Sequence, residues 1–224
     1  MPDRPDTDAL VIAVQNPKGG CGKTTIAINL ARAVQLDGFE TVILDSDTQG
    51  SARDWRARSP TDYNGPRVER ATNAGNLNAI VEEYGEASDA VVIDGSARLG
   101  KHTGAVVAAS DVLLIPVQPT AMDLWGTVEF MDTVEAAAEG ASIRPAFVAS
   151  RRDPRTNLSD QIHEALTVYN FPVLKGTAQR VAYAYAAQDG KTVLDGYDKK
   201  AAAEVQQILS DVADLAVAHA RNTH

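Results

Sequence analysis

The chain has 224 residues, and its 44% hydrophobic and 23% charged content is typical of a globular protein large enough to bury a sizeable core. The formal net charge of −9 argues against a broad surface that coats nucleic acid, and the single cysteine excludes an internal disulfide bond. Because neither a signal peptide nor an apolar run of about 18 residues is present, we expect a cytoplasmic protein without a membrane anchor.

Apolar runs and helical periodicities predict an alternation of strands and helices after a flexible tail at residues 1–8. The expected strands are Ala9–Gln15, Thr41–Leu44, Val68–Arg70, Ala90–Ile93, Val112–Val117, Ala146–Ala149 and Val173–Leu174. The expected helices are Thr24–Leu36, Leu77–Tyr84, Gly104–Ala109, Met122–Glu139, Leu158–Tyr169 and Ala201–Ala220. This alternation predicts an α/β fold with a mostly parallel, twisted sheet and helices on both faces. No break in composition divides residues 9–224, so we expect a single domain.

A glycine-rich loop at residues 16–25, Asn-Pro-Lys-Gly-Gly-Cys-Gly-Lys-Thr-Thr, joins the first strand to the first helix. Such a loop places backbone N–H groups around a phosphate at the positive end of the helix dipole. Lys23 can reach the β- and γ-phosphates of a nucleotide, and the Thr24 hydroxyl can bind Mg²⁺. The strict phosphate-loop pattern fails at Pro17, where its first glycine would stand. We interpret Cys21 as a small filler rather than a redox residue.

The segment Lys-Gly-Gly-x-Gly-Lys-Thr-Thr resembles the deviant Walker A motif of the ParA/MinD ATPases, and later segments extend the resemblance to small ParA proteins of the ParF kind. The resemblance implies a P-loop NTPase domain that binds ATP and Mg²⁺. Its nucleotide contacts would come from Lys18, Gly19, Gly20, Cys21, Gly22, Lys23, Thr24 and Thr25. It also implies that Lys18 reaches across an ATP-dependent homodimer to the partner's nucleotide. A second cation there would stabilise charge on the transferring phosphoryl group.

Two carboxylate-bearing segments follow predicted strands. Asp45 and Asp47 lie in a stretch that resembles the family's D-x-D-P-Q motif, with Thr48 at the proline position. The resemblance implies that Asp45 orients the attacking water and binds the Mg²⁺ shell. The apolar strand that ends in Asp94 has the Walker B form, in which the carboxylate holds Mg²⁺ directly or through water. Without the resemblance, Ser46 or Asp47 could simply cap a following helix.

Three further segments have a possible functional role and a simpler structural explanation. Residues 115–123, Ile-Pro-Val-Gln-Pro-Thr-Ala-Met-Asp, resemble a segment near the family's dimer interface, but a strand end followed by a helix cap also explains them. The resemblance implies that the chain contacts the adenine base after the strand Ala146–Ala149, where Arg151 could stack; a solvated basic pair with Arg152 is the alternative. The stretch Arg53–Arg58 is expected to be a helix, with Trp55 packed inward and its arginines solvated or paired across a dimer, rather than a nucleic-acid stacking site.

The excess of negative charge lies in residues 1–150, since the last 74 residues carry nine Lys/Arg and nine Asp/Glu. In the ParA family, basic residues of this C-terminal region bind DNA without sequence preference. The resemblance therefore nominates five residues for salt-sensitive phosphate contacts, namely Lys175, Arg180, Lys191, Lys199 and Lys200. Scattered surface lysines are the alternative, because three aspartates lie among them.

The resemblance implies an ATPase that dimerises on ATP, binds nucleoid DNA, and segregates or positions a cargo such as a plasmid. A ParB-like or adaptor protein would stimulate its hydrolysis. Carboxysome or protein-cluster positioning, a P-loop kinase or ligase acting on a small metabolite, and a nucleotide-gated switch without hydrolysis remain alternatives. The acidic residues of the last predicted helix argue against membrane binding. We expect the protein to be nucleoid-associated when it is bound to ATP.

Overall fold

The computed structural model describes residues 5–97, 100–118, 128–139, 143–153, 155, 164 and 166–222. Among these residues, seven strands form one sheet: β1 (Leu10–Val14), β2 (Thr41–Asp45), β3 (Arg67–Arg70), β4 (Ala90–Asp94), β5 (Val112–Val117), β6 (Arg144–Ala149) and β7 (Val173–Leu174). The helices are α1 (Lys23–Leu36), α2 (Ser51–Arg58), α3 (Leu77–Gly85), α4 (Lys101–Ala109), α5 (Val128–Glu139), α6 (Val181–Gln188) and α7 (Lys199–Asn222).

All the strand pairs are parallel, and the strand order is β3-β2-β4-β1-β5-β6-β7. Successive residues of a strand point to opposite faces of the sheet. Val11 and Ala13 therefore pack with α3, α4 and α5, whereas Ile12 and Val14 pack with α1, α2 and α7. Helices on both faces of a parallel sheet confirm the expected α/β fold.

The predicted and observed elements agree within three residues wherever both are described. The first part of the helix expected at Met122–Glu139 and most of the helix expected at Leu158–Tyr169 lie outside the described residues. The helix expected at Arg53–Arg58 is present as part of α2, with Trp55 buried. Helix α6 was not predicted.

Part of the expected flexible tail contacts the domain. Pro5 is buried, and the Asp6 N–H donates to the Glu82 carboxylate of α3 at 3.0 Å. The Thr7 hydroxyl accepts from the Ala9 N–H at 3.1 Å. The buried Pro5 and the hydrogen bond from Asp6 therefore place part of the expected tail against the domain. None of the helices among the described residues combines the length and hydropathy needed to cross a membrane.

The strand order determines where a ligand can bind. Strand β1 lies between β4 and β5. Strands β2, β3 and β4 lie on one side of it and β5, β6 and β7 on the other, so the strand order reverses at the carboxyl end of β1. Open α/β sheets bind ligands in the crevice at such a point. The register places Asp94 beside both Val14 and Asp45, so the glycine-rich loop and the two aspartates converge there.

A glycine after β7 provides a test of this packing. Gly176 has a φ of 61°, and a Cβ at this position would collide with the backbone of Ala149 in β6, whereas Gly38 has a φ of 97° with open space around its Cβ position. We expect Gly176→Ala to lower the free energy of unfolding by roughly 2–4 kcal/mol, because the clash adds to backbone strain. The control Gly38→Ala should lose about 1–2 kcal/mol from strain alone. Urea unfolding would measure both, and equal losses would contradict the importance of the clash.

Candidate nucleotide-binding site

The loop at residues 16–25 depends on glycines with left-handed backbone conformations. Gly20 has a φ of 74° and Gly22 a φ of 96°. A Cβ on Gly22 would also lie 2.5 Å from the Ser150 hydroxyl at the end of β6. Residues with a side chain resist both conditions, so the glycine pattern is a requirement of the loop's shape.

The end of β5 holds this loop from one side. The Asn16 side chain accepts from the Lys18 N–H at 2.9 Å and donates to the Pro116 carbonyl at 2.8 Å. The Gln118 side chain donates to the Gly20 carbonyl at 2.8 Å. Residues 115–118 therefore support the loop, while residues 119–123 of the same predicted segment lie outside the described part of the chain.

The two lysines of the loop have different environments. Lys23 is buried, and its ammonium group donates to the Lys18 carbonyl at 2.8 Å, so it folds over its own loop. The buried Cys21 thiol donates to the same carbonyl at 3.3 Å. Burial raises the pKa of this thiol, which fits a neutral filler. The Lys18 side chain is half-buried and lies next to the exposed Gly19.

Asp45 is fully buried at the end of β2, and its carboxylate already accepts three hydrogen bonds. Its carboxylate accepts from the Asp47 N–H, the Arg53 N–H and the Arg53 side chain, at 3.1, 3.1 and 3.2 Å. Our expectation that Arg53 would be solvated or paired across a dimer is therefore wrong, because the first turn of α2 places its guanidinium over this carboxylate. Gly50 is the residue that caps α2, so Ser46 and Asp47 do not serve as its cap.

Asp94 is also fully buried, but neither of its carboxylate oxygens has a hydrogen-bond partner among the described residues. Burial raises the pKa of Asp94 to about 7; the neighbouring Thr24 hydroxyl and Lys23 oppose this shift, and Asp45 and Asp47 add to it. An unpaired buried carboxylate is unfavourable unless it binds a proton or a cation. The pair of orphaned oxygens therefore fits a metal ion.

The residues present fit Mg²⁺ in particular. Thr24 and Asp94 offer oxygen ligands, and Mg²⁺ usually completes its shell with water and substrate phosphates. Within the described ranges, no group of three or more His, Cys, Asp or Glu side chains is arranged to hold a metal alone. Because Arg53 takes Oδ2 of Asp45, this residue could bind the ion directly only through Oδ1, which already accepts from the Asp47 N–H. The geometry therefore favours Thr24 and Asp94 as direct ligands.

Two adjoining clefts lie along the loop. The first, of about 340 Å³, is lined by loop residues and by Asp47, Gln49, Ser51, Ala97 and Arg151. The second, of about 350 Å³, lies between the end of β6 and α6, and Gly22, Thr25 and Arg151 line both clefts. Arg151, the predicted base contact, is exposed at this junction with a φ of 54°. A nucleotide with its phosphates in the first cleft would have room for its base in the second.

Several residues of the second cleft were not predicted to bind a nucleotide. Its wall includes Ser150, Thr177, Gln179 and Tyr183. The segment 177–183 carries part of the family resemblance, but its place beside the loop is a tertiary feature. A cavity of about 480 Å³ between α3, α4 and α5 is larger, but its lining consists mostly of alanine and glycine and contains no carboxylate.

Three of the five basic residues nominated for DNA binding share one surface cleft of about 460 Å³. Lys175, Arg180 and Lys200 line it together with Arg152, whose Nε is buried without a partner among the described residues. Arg180 forms an ion pair with Glu204 at 2.7 Å. The other two nominated residues, Lys191 and Lys199, do not line this cleft.

The fold and the site together define a P-loop nucleotide-binding protein. The family described as the CobQ/CobB/MinD/ParA nucleotide binding domain matches residues 12–193. The chain therefore belongs to this family of P-loop ATPases.

Relatives of known name cover most of the chain. It is 29% identical to the Maintenance of carboxysome distribution protein A of Halothiobacillus neapolitanus over 217 residues, which is 91% of this chain and 96% of the relative. The protein of the same name from Gloeobacter kilaueensis is 38% identical over 148 residues, 65% of each chain. The sporulation initiation inhibitor protein Soj of Bacillus subtilis is 25% identical over 200 residues, 71% of this chain and 79% of the relative.

Solved structures share the fold at low identity. Cobyrinic acid a,c-diamide synthase from Mycobacterium smegmatis, with a bound ATP analogue and magnesium, superposes with a TM-score of 0.70 at 18% identity, over 92% of this chain and 94% of that one. An ATP complex of McdA from Cyanothece has a TM-score of 0.71 at 14% identity, over 93% and 96%. The ligands of these neighbours agree with the expected ATP and Mg²⁺.

The raised pKa of Asp94 predicts how stability depends on pH in EDTA without nucleotide. The folded protein keeps a proton that the unfolded chain releases near pH 4, so this group's stabilisation is lost as the pH rises from about 4 to about 7. Asp94→Asn cannot ionise and should be more stable than wild type at about pH 8, by roughly 1–3 kcal/mol. Urea unfolding of both proteins between about pH 5 and 8 measures the difference. A difference that does not change with pH would contradict the prediction.

Proposed function

We propose that this chain is an ATPase that forms a homodimer around ATP, binds DNA without sequence preference and positions a cargo inside the cell. The observation that carries the proposal is the presence of two lysines in one phosphate-binding loop, which follows β1 where the neighbouring strands end in the buried carboxylates Asp94 and Asp45. Lys23 stands where the ordinary P-loop lysine stands. Lys18 is therefore a second lysine beside the phosphates, and we infer that it binds the nucleotide of the partner subunit in a dimer.

Each side chain would contribute one task to hydrolysis. Lys23 would exchange the Lys18 carbonyl for the β- and γ-phosphates of ATP, since its ammonium group already points into the loop. Thr24 and Asp94 would hold Mg²⁺, which supplies positive charge against the phosphates. Asp45 would orient the attacking water by accepting a hydrogen bond from it. Arg151, at the junction of the two clefts, would contact the adenine base.

The proposed DNA contacts centre on the cleft of Arg152, Lys175, Arg180 and Lys200. The one carboxylate in its lining, Glu204, is bound by Arg180 and by the Tyr183 hydroxyl, so the cleft keeps an excess of positive charge. Lys175 and Lys200 are exposed and have no acidic partner among the described residues. Lysines in such a cleft suit the phosphate backbone, whose recognition does not depend on sequence. The ATP-bound protein would then be nucleoid-associated in the cytoplasm.

The relatives support a cargo of carboxysome type. A protein named for carboxysome distribution aligns with 91% of this chain and leaves little of its own length unmatched. Plasmid or chromosome partition is the second candidate, because partition proteins align over about 70–80% of this chain. In either case an adaptor or ParB-like protein on the cargo would stimulate hydrolysis.

Two alanine variants test the separate uses of the lysines. Lys23→Ala should weaken binding of a fluorescent ATP analogue at least about tenfold, because contacts with a charged group are lost. Lys18→Ala should bind the analogue about as well as wild type but remain monomeric with ATP and Mg²⁺ in light scattering. An ATP-dependent dimer of Lys18→Ala would contradict the role across the dimer. Phosphate release without any acceptor metabolite would separate an ATPase from a kinase or ligase.

Charge reversal tests the DNA cleft. Lys175→Glu and Lys200→Glu should each weaken ATP-dependent DNA binding and reduce the slope of log affinity against log salt by about 1 for each lost phosphate contact. Arg180→Glu is a poorer test, since it would place a second carboxylate beside Glu204. The control is Arg67→Glu, at the amino end of β3 on the opposite edge of the sheet. Equal losses in the control and the two lysine variants would contradict this location.

A further inference from the structure

Arg53 donates hydrogen bonds to the carboxylate of Asp45, on which the proposed hydrolysis depends. Asp45 Oδ2 accepts from both the N–H and the Nε of Arg53, at 3.1 and 3.2 Å, and Oδ1 accepts from the Asp47 N–H at 3.1 Å. A carboxylate offers about two lone pairs on each oxygen, so Arg53 alone saturates Oδ2. Oδ2 can therefore orient a water molecule only after the guanidinium group withdraws, whereas Oδ1 accepts one hydrogen bond, from the Asp47 N–H, among the described residues.

The surroundings of Arg53 indicate a restraint on Asp45 rather than a contact with ATP. Its Nη2 donates to the Asp47 carbonyl at 3.5 Å, and a Cβ on Gly50 would lie 2.6 Å from the same nitrogen. The guanidinium group thus covers the turn between β2 and α2. Arg53 is absent from the lining of both nucleotide clefts. Removing its side chain should therefore leave ATP binding intact.

The helix that carries Arg53 is also attached behind the second cleft. The Trp55 indole donates to the Lys191 carbonyl at 3.0 Å, and the Ser59 hydroxyl donates to the Gly190 carbonyl at 2.7 Å. Gly190 and Lys191 follow α6, which lines the second cleft. Helix α2 therefore connects this loop to Asp45, and a displacement of the loop would be transmitted to Arg53.

We propose that Arg53 is a positioning residue that restrains Asp45 and keeps hydrolysis slow until α2 shifts. This inference rests on the proposed role of Asp45 in hydrolysis. It assigns to Arg53 an effect on the rate of the chemical step and none on the affinity for ATP.

Single-turnover hydrolysis over a range of ATP concentrations, with Mg²⁺, tests the restraint. Arg53→Gln should raise the maximal rate constant roughly tenfold, because a charge-assisted hydrogen bond to Asp45 is lost. The half-saturating ATP concentration should not change. Arg53→Lys, which keeps the charge, should give an intermediate rate constant. Arg58→Gln makes the same charge change at the exposed end of α2 and should hydrolyse at the wild-type rate. A maximal rate constant of Arg53→Gln at or below that of wild type would overturn the proposal.

A second comparison separates this proposal from the function on which it rests. Asp45→Asn should lose hydrolysis, and the double variant with Arg53→Gln should be equally slow because Arg53 acts through Asp45. Wild-type hydrolysis by Asp45→Asn would refute the proposed role of Asp45 itself. Loss in Asp45→Asn together with an unchanged rate in Arg53→Gln would refute the restraint alone.

Trp55 reports the movement of α2 independently of hydrolysis. The other tryptophan is Trp125, so Trp125→Phe leaves Trp55 as the only indole. In that background, ATP with Mg²⁺ should change the Trp55 emission. Adding Arg53→Gln should shift the nucleotide-free spectrum towards the ATP-bound spectrum. An emission unaffected by ATP and by Arg53→Gln would overturn the proposed shift of α2.

Discussion

Parallel pairing of β2 and β4 places two carboxylates, Asp45 and Asp94, side by side where water does not reach them. Like charges in such a place are unfavourable, so each must bind a proton, a metal ion or a basic side chain. Asp94 holds a proton up to about pH 7, and Asp45 binds Arg53. The buried Lys23 adds a further positive charge, which opposes the rise in the pKa of Asp94. Binding of nucleotide and metal would replace these internal partners with external ones.

Much of the fold could be predicted because buried parallel strands are continuous apolar runs. Strands β5 and β7 begin and end at the predicted residues. Helix α6 could not be predicted, because its sequence Val-Ala-Tyr-Ala-Tyr-Ala-Ala-Gln has no polar stripe to reveal a helical period. Its packing beside the loop after β1 is determined by tertiary contacts. The same holds for residues 5–8, whose polar composition resembles that of a free tail.

Some residues of the candidate site could be predicted from the sequence, and others could not. The loop and the two aspartates could be predicted, because each motif is a short segment at the end of one strand. The pairing of Arg53 with Asp45 could not, since it depends on how α2 leaves its capping turn. In the sequence, Arg152 is distinguished only by its place next to Arg151. Its cleft is formed by segments from β6 to α7 that are distant in sequence.

The orphaned carboxylate of Asp94 has a consequence for the lifetime of the protein. A molecule without ligands keeps Asp94 either protonated or, at higher pH, as an unfavourable buried charge, whereas any cation that binds only the folded state stabilises it by mass action. Proteases act on the small population of open molecules, which grows as the folded state loses stability. Nucleotide and metal supply would therefore influence how long each copy survives.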